Sequence, residues 1–368
     1  MEHTIINKMK ILHITTVESM DAQNGIPAVV KGLCNYQNKI EGVESRVLSL
    51  YAKVDNTVTP NFDYLGDHSF CGYVKDYMPD IVIFHDFYYL KYATMALTLK
   101  RLRIPFVLEP HGAFGKKALK KSRLKKFVAN HTIFSILIKG SAGFILTNEG
   151  ELKDVAYKKE KKFVIPNGVD RNAIDELDYK NFDPSHLPVF YFLGRYDRIH
   201  KGLDYLFDAL DIIERNKKII TVKLYGVGSE EELAYVHDRI KDYKIIKVEE
   251  KGTIFGQEKV DALRNNNILL LTSRYEGSPM TILDALCYGN PCLLTPGTNV
   301  ADEISNNGLG WKTNLDANAI AECILRAQEE YRKDYEGYYN RCKQYMIDNS
   351  LWDNIALKSI SIYKLFLK

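Results

Sequence analysis

Residues 268–291, ILLLTSRYEGSPMTILDALCYGNP, read as strand, turn and helix in immediate succession. Four consecutive aliphatic residues, Ile268–Leu271, suit a strand buried on both faces. Glu276 follows in the turn, and then Gly277, Ser278 and Pro279. Glycine permits close backbone approach, and proline suits the first turn of a helix. A helix starting there leaves N–H groups near Met280 and Thr281 unsatisfied, which attracts anions. Asp284 lies eight residues beyond Glu276, on the helix's second turn. Taken alone, the two acids also fit solvated or capping roles.

The same strand–turn–helix pattern extends outward in both directions. Upstream, Lys10–Val17, Ser45–Tyr51, Asp80–Phe84, Pro105–Glu109, Gly143–Thr147 and Lys162–Ile165 read as strands. Helical spacing falls between them, over Ile26–Ile40, Tyr88–Leu102 and a long stretch reaching Lys139. Asn167–Pro188 then carries Asn-Gly, Asp-Pro and Leu-Pro punctuation and reads as a linker. Beyond it the alternation restarts at Val189–Leu193 and continues through Thr221–Tyr225, Ile245–Val248, Ile268–Leu271 and Pro291–Leu294. Strands alternating with helices signal βαβ units and a parallel sheet. We therefore expect an α/β chain of two Rossmann-like domains, 1–180 and 185–345, with a final helical segment over 346–368. Ligands of open α/β sheets sit at the carboxyl ends of strands, so a cleft between the domains is the expected site.

Four more segments lie at such strand ends. Gly194–Gly202, GRYDRIHKG, places Arg195 and Lys201 before a helix, a pairing that suits a diphosphate. Glu109–Gly112 contains His111. Asn24–Pro27 forms the first strand-to-helix turn, but lacks the Gly-x-Gly-x-x-Gly of a nicotinamide site. Tyr225–Gly228 is a glycine turn. Each alone also fits a structural or solvated role.

Composition narrows the class. The 368 residues correspond to about 2.5 domains at roughly 150 residues each. With 46% hydrophobic and 26% charged residues the chain is an ordinary globular one. The balance of 50 basic and 47 acidic residues gives +3, too little to predict nucleic-acid binding. No apolar run spans a bilayer and the start lacks a signal-like stretch, so a cytoplasmic protein is expected. Cys34, Cys71, Cys287, Cys292, Cys323 and Cys342 form no Cys-x-x-Cys pair and read as buried free thiols.

Together the segments resemble the retaining glycosyltransferases of family 4, which have the GT-B fold with two parallel sheets facing a central cleft. The resemblance rests on PDIVIFHD (79–86), PHG (110–112), IPNGVD (165–170), LGRYDRIHKGLDYLFDAL (193–210), LYGVGSEEEL (224–233), KGTIF (251–255) and SRYEGSPMTILDALCYGNP (273–291). It implies that Arg195 and Lys201 hold a donor diphosphate and that Glu276 contacts the donor sugar. Asp284 stands where the family has a glutamate on the ribose, one methylene shorter. His111 matches a histidine near the reacting sugar. Gly25 matches a glycine loop in which Asn24 replaces a common glycine. Thr253, Ile254 and Phe255 match the loop framing the base, with Gly226 beside it. Gly277, Ser278, Met280 and Thr281 complete the donor site. The resemblance further implies that the final helix packs back on the first domain.

The expected activity is retaining transfer from a nucleotide-diphosphate sugar, most simply a UDP-sugar, to a glycan or polyprenyl-diphosphate-linked acceptor in bacterial surface polysaccharide biosynthesis. Negative charge grows on the departing diphosphate, and preorganised cations and N–H dipoles stabilise it. No Asp-x-Asp occurs, so neither a metal nor another cofactor is expected. A nucleotide-sugar 2-epimerase and a non-catalytic GT-B partner remain as alternatives. The former fits the Glu276–Asp284 segment less well, and the latter would be expected to lose Arg195, Lys201 or Glu276. Lys116–Lys126, KKALKKSRLKK, holds seven basic residues. It reads either as a solvated helix or as a docking segment for an anionic membrane surface or a polyprenyl-diphosphate acceptor, which would place the protein at the membrane's inner face.

Overall fold

The computed structural model describes residues 8–16, 25–51, 61–116, 119, 129–130, 132–174 and 182–367. The chain forms two compact units. The first contains 1–170 together with 350–368, and the second contains 171–349.

The first unit is built on a seven-stranded sheet in the order β3-β2-β1-β4-β5-β6-β7. Its strands are β1 (Met9–Thr15), β2 (Val43–Ser49), β3 (Phe62–Tyr64), β4 (Ile81–His85), β5 (Phe106–Glu109), β6 (Gly143–Leu146) and β7 (Lys162–Val164). Every pairing is parallel. All of β4, IVIFH, is buried, as a central strand covered on both faces requires. Helix α1 (Ile26–Gln37) starts at Gly25, whose φ of 75° is the left-handed geometry that glycine adopts freely. Phe84, Phe87, Phe114, Phe134 and Phe144 fill the core beside the sheet. The helix Trp352–Leu367 belongs to this unit. Gln37 Nε2 on α1 donates to Ser359 Oγ on that helix at 2.9 Å.

The second unit has a six-stranded parallel sheet in the order β10-β9-β8-β11-β12-β13. These strands are β8 (Val189–Leu193), β9 (Thr221–Tyr225), β10 (Lys247–Glu250), β11 (Ile268–Leu271), β12 (Cys292–Leu294) and β13 (Gly310–Lys312). The helix Leu203–Arg215 buries Leu203, Leu206, Phe207, Leu210 and Ile213 on one stripe.

Several sequence expectations change. The long helix expected to reach Lys139 is interrupted: 111–114 and 132–134 are turns, and a short helix occupies Ser135–Gly140. The strand expected at Ile245–Val248 lies at Lys247–Glu250, because β10 is a charged edge strand and the apolar pair Ile245–Ile246 precedes it. Five of the six cysteines are buried and free, whereas Cys71 is partly exposed. Within the basic segment only Lys116 and Leu119 are described; its other residues, like Asn24, lie outside the described residues. Among the described residues no helix is long and apolar enough to cross a membrane.

Candidate active site

In the second unit, adjacent strands β8 and β11 set two loops side by side. The loop after β8 is drawn into a turn by Asp197, which accepts from the His200 N–H at 2.8 Å. Thr272 Oγ1 lies 3.0 Å from the Gly202 carbonyl, and the Arg274 N–H donates to the His200 carbonyl at 2.9 Å. A Cβ on Gly202 would stand 2.0 Å from the Thr272 carbonyl oxygen, so only glycine permits this approach. Arg274 locks the loops further through Asp204 (2.8 Å) and the Ile199 carbonyl (2.7 Å).

This zipper brings Lys201 and Glu276 together. Lys201 Nζ sits 2.6 Å from Glu276 Oε1, which also accepts from Ser273 Oγ at 2.8 Å. Both side chains are largely buried, at 14% and 10% exposure. Glu276 Oε2 lies 3.9 Å from His200 Nε2, beyond hydrogen-bond reach. Burial lowers the His200 pKa, and its Nε2 donates to the Tyr275 carbonyl at 2.8 Å. Asn299 Nδ2 holds the Glu276 carbonyl at 2.6 Å. Arg195 is exposed, with Asp197 Oδ2 at 3.5 Å.

The other expected donor-side residues divide. Gly277, Ser278 and Pro279 lead into the helix Met280–Cys287, which starts at Met280 and Thr281 without a side-chain cap. Asp284 on that helix pairs with Lys259 at 2.7 Å, and burial raises its pKa. Thr253, Ile254 and Phe255 form the loop after β10, with Phe255 exposed. Thr253 Oγ1 lies 3.5 Å from the Gly226 carbonyl. A Cβ on Gly226 would stand 1.9 Å from the Gly194 carbonyl oxygen, so that glycine is required by backbone packing.

In the first unit, His111 follows β5 in a left-handed conformation, φ 46°. The turn is held by buried Glu151, whose Oε1 accepts from the Gly112 N–H at 2.7 Å. Its other oxygen accepts from the Thr147 N–H and Oγ1, each at 2.8 Å. His111 Nε2 lies 3.0 Å from His85 Nδ1, and His85 Nε2 lies 2.8 Å from His13 Nδ1. Burial lowers His13 and His111 to about 4 and His85 well below its usual range. Burial, with Glu151 nearby, pushes Glu109 up to about 8. His85, Glu109 and His111 each offer a donor atom within 4.8 Å of the others, a two-histidine, one-carboxylate set that zinc or iron accepts.

Sequence reading missed His13, His85, Gln37, Lys259, Arg274 and Asn299. A histidine inside the apolar strand KILHITTV and another closing IVIFH were the available signals.

The chain matches two family models, Glycosyltransferase Family 4 over residues 56–173 and Glycosyl transferases group 1 over 173–346. It is 23% identical over 327 residues to a probable sucrose-phosphate synthase of Thermosipho melanesiensis, covering 82% of this chain and 74% of that one. It is 25% identical over 232 residues to a lipopolysaccharide 1,6-galactosyltransferase of Salmonella typhimurium, covering 61% of this chain and 58% of that one. Its fold is similar to that of Anabaena HepE in complex with UDP and glucose, with a TM-score of 0.70 at 15% identity over 97% of this chain and 99% of that one.

Proposed function

Given that the chain is a family 4-like glycosyltransferase of the GT-B fold, we propose that it transfers a sugar from a UDP-sugar, with retention, to a hydroxyl of a glycan or polyprenyl-diphosphate-linked acceptor in surface polysaccharide synthesis. The Lys201–Glu276 pair carries this reading. It anchors one carboxylate oxygen and leaves Glu276 Oε2 to accept from hydroxyls of the donor sugar. The likeness to a galactosyltransferase of lipopolysaccharide and to a protein solved with UDP supports the substrate class.

In the proposed step the C1–oxygen bond to the diphosphate breaks and a C1–oxygen bond to the acceptor forms on the same face. The acceptor's proton passes to the departing phosphate oxygen. Lys201, Arg195 and the first helical turn at Thr281 stabilise the charge that grows there. A double displacement needs two carboxylates about 5–5.5 Å apart across the scissile bond. Glu276 and Asp284 are instead committed to different lysines, Lys201 and Lys259, which supports a mechanism without a glycosyl-enzyme. The cationic groups also support a reaction that needs no metal or other cofactor. His111, in the first unit, takes a sugar hydroxyl, and the basic segment 116–126 holds the enzyme at an anionic membrane surface on the cytoplasmic side.

A panel of nucleotide sugars, assayed for nucleoside diphosphate release with EDTA present, tests the donor and the metal independence. NMR of the product's anomeric centre and intact-mass analysis test the stereochemistry. Inversion, a glycosyl adduct, or activity lost to chelator each overturns its part of the reading.

A further inference from the structure

Behind His111 the first unit buries a file of polar side chains to which the transfer step assigns no work. His13 in β1, His85 at the end of β4 and His111 just past β5 come from neighbouring strands, so the sheet order sets them in line. Successive ring centroids are 5.1 and 5.3 Å apart. The file ends at Gln37 on α1, whose Oε1 lies 2.9 Å from His13 Nε2.

Gln37 gives the file a direction. The single hydroxyl proton of Ser359 goes to the Ala356 carbonyl at 2.7 Å. Towards Gln37 its Oγ can therefore only accept, and the contact at 2.9 Å is with the amide N–H. This assigns the amide orientation from its network. The carbonyl end of Gln37 then faces Ser45 Oγ at 2.7 Å and His13 Nε2. A carbonyl cannot donate, so His13 carries its proton on Nε2. A neutral imidazole has one N–H, which leaves His13 Nδ1 a lone pair. His85 must donate to it from Nε2, and His85 Nδ1 is then a lone pair in turn. His111 must donate from Nε2, and its Nδ1 is left as an acceptor. Glu109 does not interrupt the order, because its oxygens stay 3.6 Å from His85 and 3.7 Å from His111. The His13 and His85 rings are buried, His111 nearly so, and the Glu109 carboxylate lies beyond hydrogen-bond distance of His85 and His111, so nothing around them favours a cationic ring. His111 Nδ1 has no hydrogen-bond partner among the described residues, and 9% of the side chain remains exposed.

We propose that Gln37, His13 and His85 are positioning residues that fix His111 as its Nε2–H tautomer, so that Nδ1 recognises a sugar O–H and turns away the diphosphate oxyanion. The ligand class follows from the lone pair: it accepts from a hydroxyl and repels an oxygen that offers only lone pairs. The proposal rests on the reading of His111 as a group that touches sugar.

The direct test is a long-range ¹H–¹⁵N correlation spectrum of the full chain with ring-¹⁵N histidine at pH 7, which needs no turnover. All three rings are expected as Nε2–H tautomers. A His111 ring protonated on Nδ1 or on both nitrogens overturns the proposal. So does stoichiometric zinc chloride displacing the His85 and His111 signals, since the rings would then be metal ligands. Gln37→Leu removes the terminal acceptor. It should mix the His111 tautomers and lower kcat about tenfold, the worth of one hydrogen bond, with the donor KM unchanged. Gln37→Glu keeps an acceptor facing His13 and should restore the tautomer and most of the rate. A rate unchanged by Gln37→Leu with tautomers visibly mixed overturns the tautomer's role. Full activity in His111→Ala overturns instead the placing of His111 on sugar.

Discussion

Lys201 and Glu276 each neutralise a charge that is mostly removed from water. Truncating either leaves the other uncompensated, so some of the cost falls on stability. Lys201→Ala should lower kcat by about a hundredfold, the loss of one preorganised donor to the leaving group. The double variant with Glu276→Ala should lose less stability than the sum of the two single variants; thermal unfolding of all three checks this. The buried histidines govern pH dependence. Unfolded, His13, His85 and His111 titrate near 6.5, whereas folded His13 and His111 titrate at about 4 and burial holds His85 well below 6.5. Between those values the unfolded chain binds protons that the native state refuses. Stability is therefore complete above pH 6.5 and lost towards pH 4, on the order of 3 kcal/mol for each ring at about 4. Glu109 acts in the opposite sense, because the native state keeps its proton up to about 8. Its contribution is present below about 4.5 and lost as pH rises through 8. A Tm maximum near pH 6.5 is expected, with the alkaline decline removed in Glu109→Gln; a flat acid limb would contradict buried, neutral rings. The sequence displayed Arg195, Lys201, Glu276 and His111 at strand ends, where topology makes sites. It did not display the pairing of Lys201 with Glu276, which depends on β8 lying beside β11. Nor did it display the histidine file, which requires knowing that β1, β4 and β5 are neighbours.

Among the elements, the best legible were those with long periodicity or continuous aliphatic runs, such as β4, β11 and the helix Leu203–Arg215. The strands β3 and β13 have three residues each and lie at sheet edges, too short to show alternation. The chain's return to the first unit also rests on a contact without a local signature. The Trp352 indole, 4% exposed, lies against two glycines, Gly32 in α1 and Gly168 after β7. A Cβ on Gly32 would stand 2.3 Å from Trp352 Cε2, and one on Gly168 would stand 2.4 Å from Cδ2. Trp352→Ala should cost about 3–5 kcal/mol. Gly32→Ala should destabilise the parent, because the methyl and the indole claim one volume. In the Trp352→Ala background it should stabilise instead, by up to about 1 kcal/mol, since alanine is the better helix former and the space is vacant. Urea unfolding of the four proteins checks the reversal of sign. If Gly32→Ala destabilises equally in both backgrounds, the indole contact is not what excludes the methyl.

At the scale of the whole molecule, the alternation of strands and helices and its pause near residue 170 announced two α/β units, while strand order stayed hidden because it is set by crossover connections. The two units differ in how the chain builds them. Residues 171–349 form the second unit without a break, with a complete six-stranded sheet, its own core and every expected donor-side residue from Arg195 to Asp284. The first unit is discontinuous and takes in residues 350–368. Without them α1 loses Trp352 from beside Gly32, and Gln37 loses Ser359. If the proposed donor site is right, the isolated 171–349 segment should fold cooperatively and bind UDP with an affinity within about tenfold of the full chain, because the Lys201–Glu276 pair and its supporting loops lie within it. On the proposed role of His111 it should transfer no sugar, since that residue is absent. Residues 1–170 alone should unfold at a lower temperature than 1–170 fused through a short linker to 350–368, by the ordering that Trp352 and Ser359 supply. Calorimetric titration of UDP into 171–349 decides the first point. Affinity lost a hundredfold or more, in a fragment shown to be folded, would mean that UDP recognition is shared with the first unit.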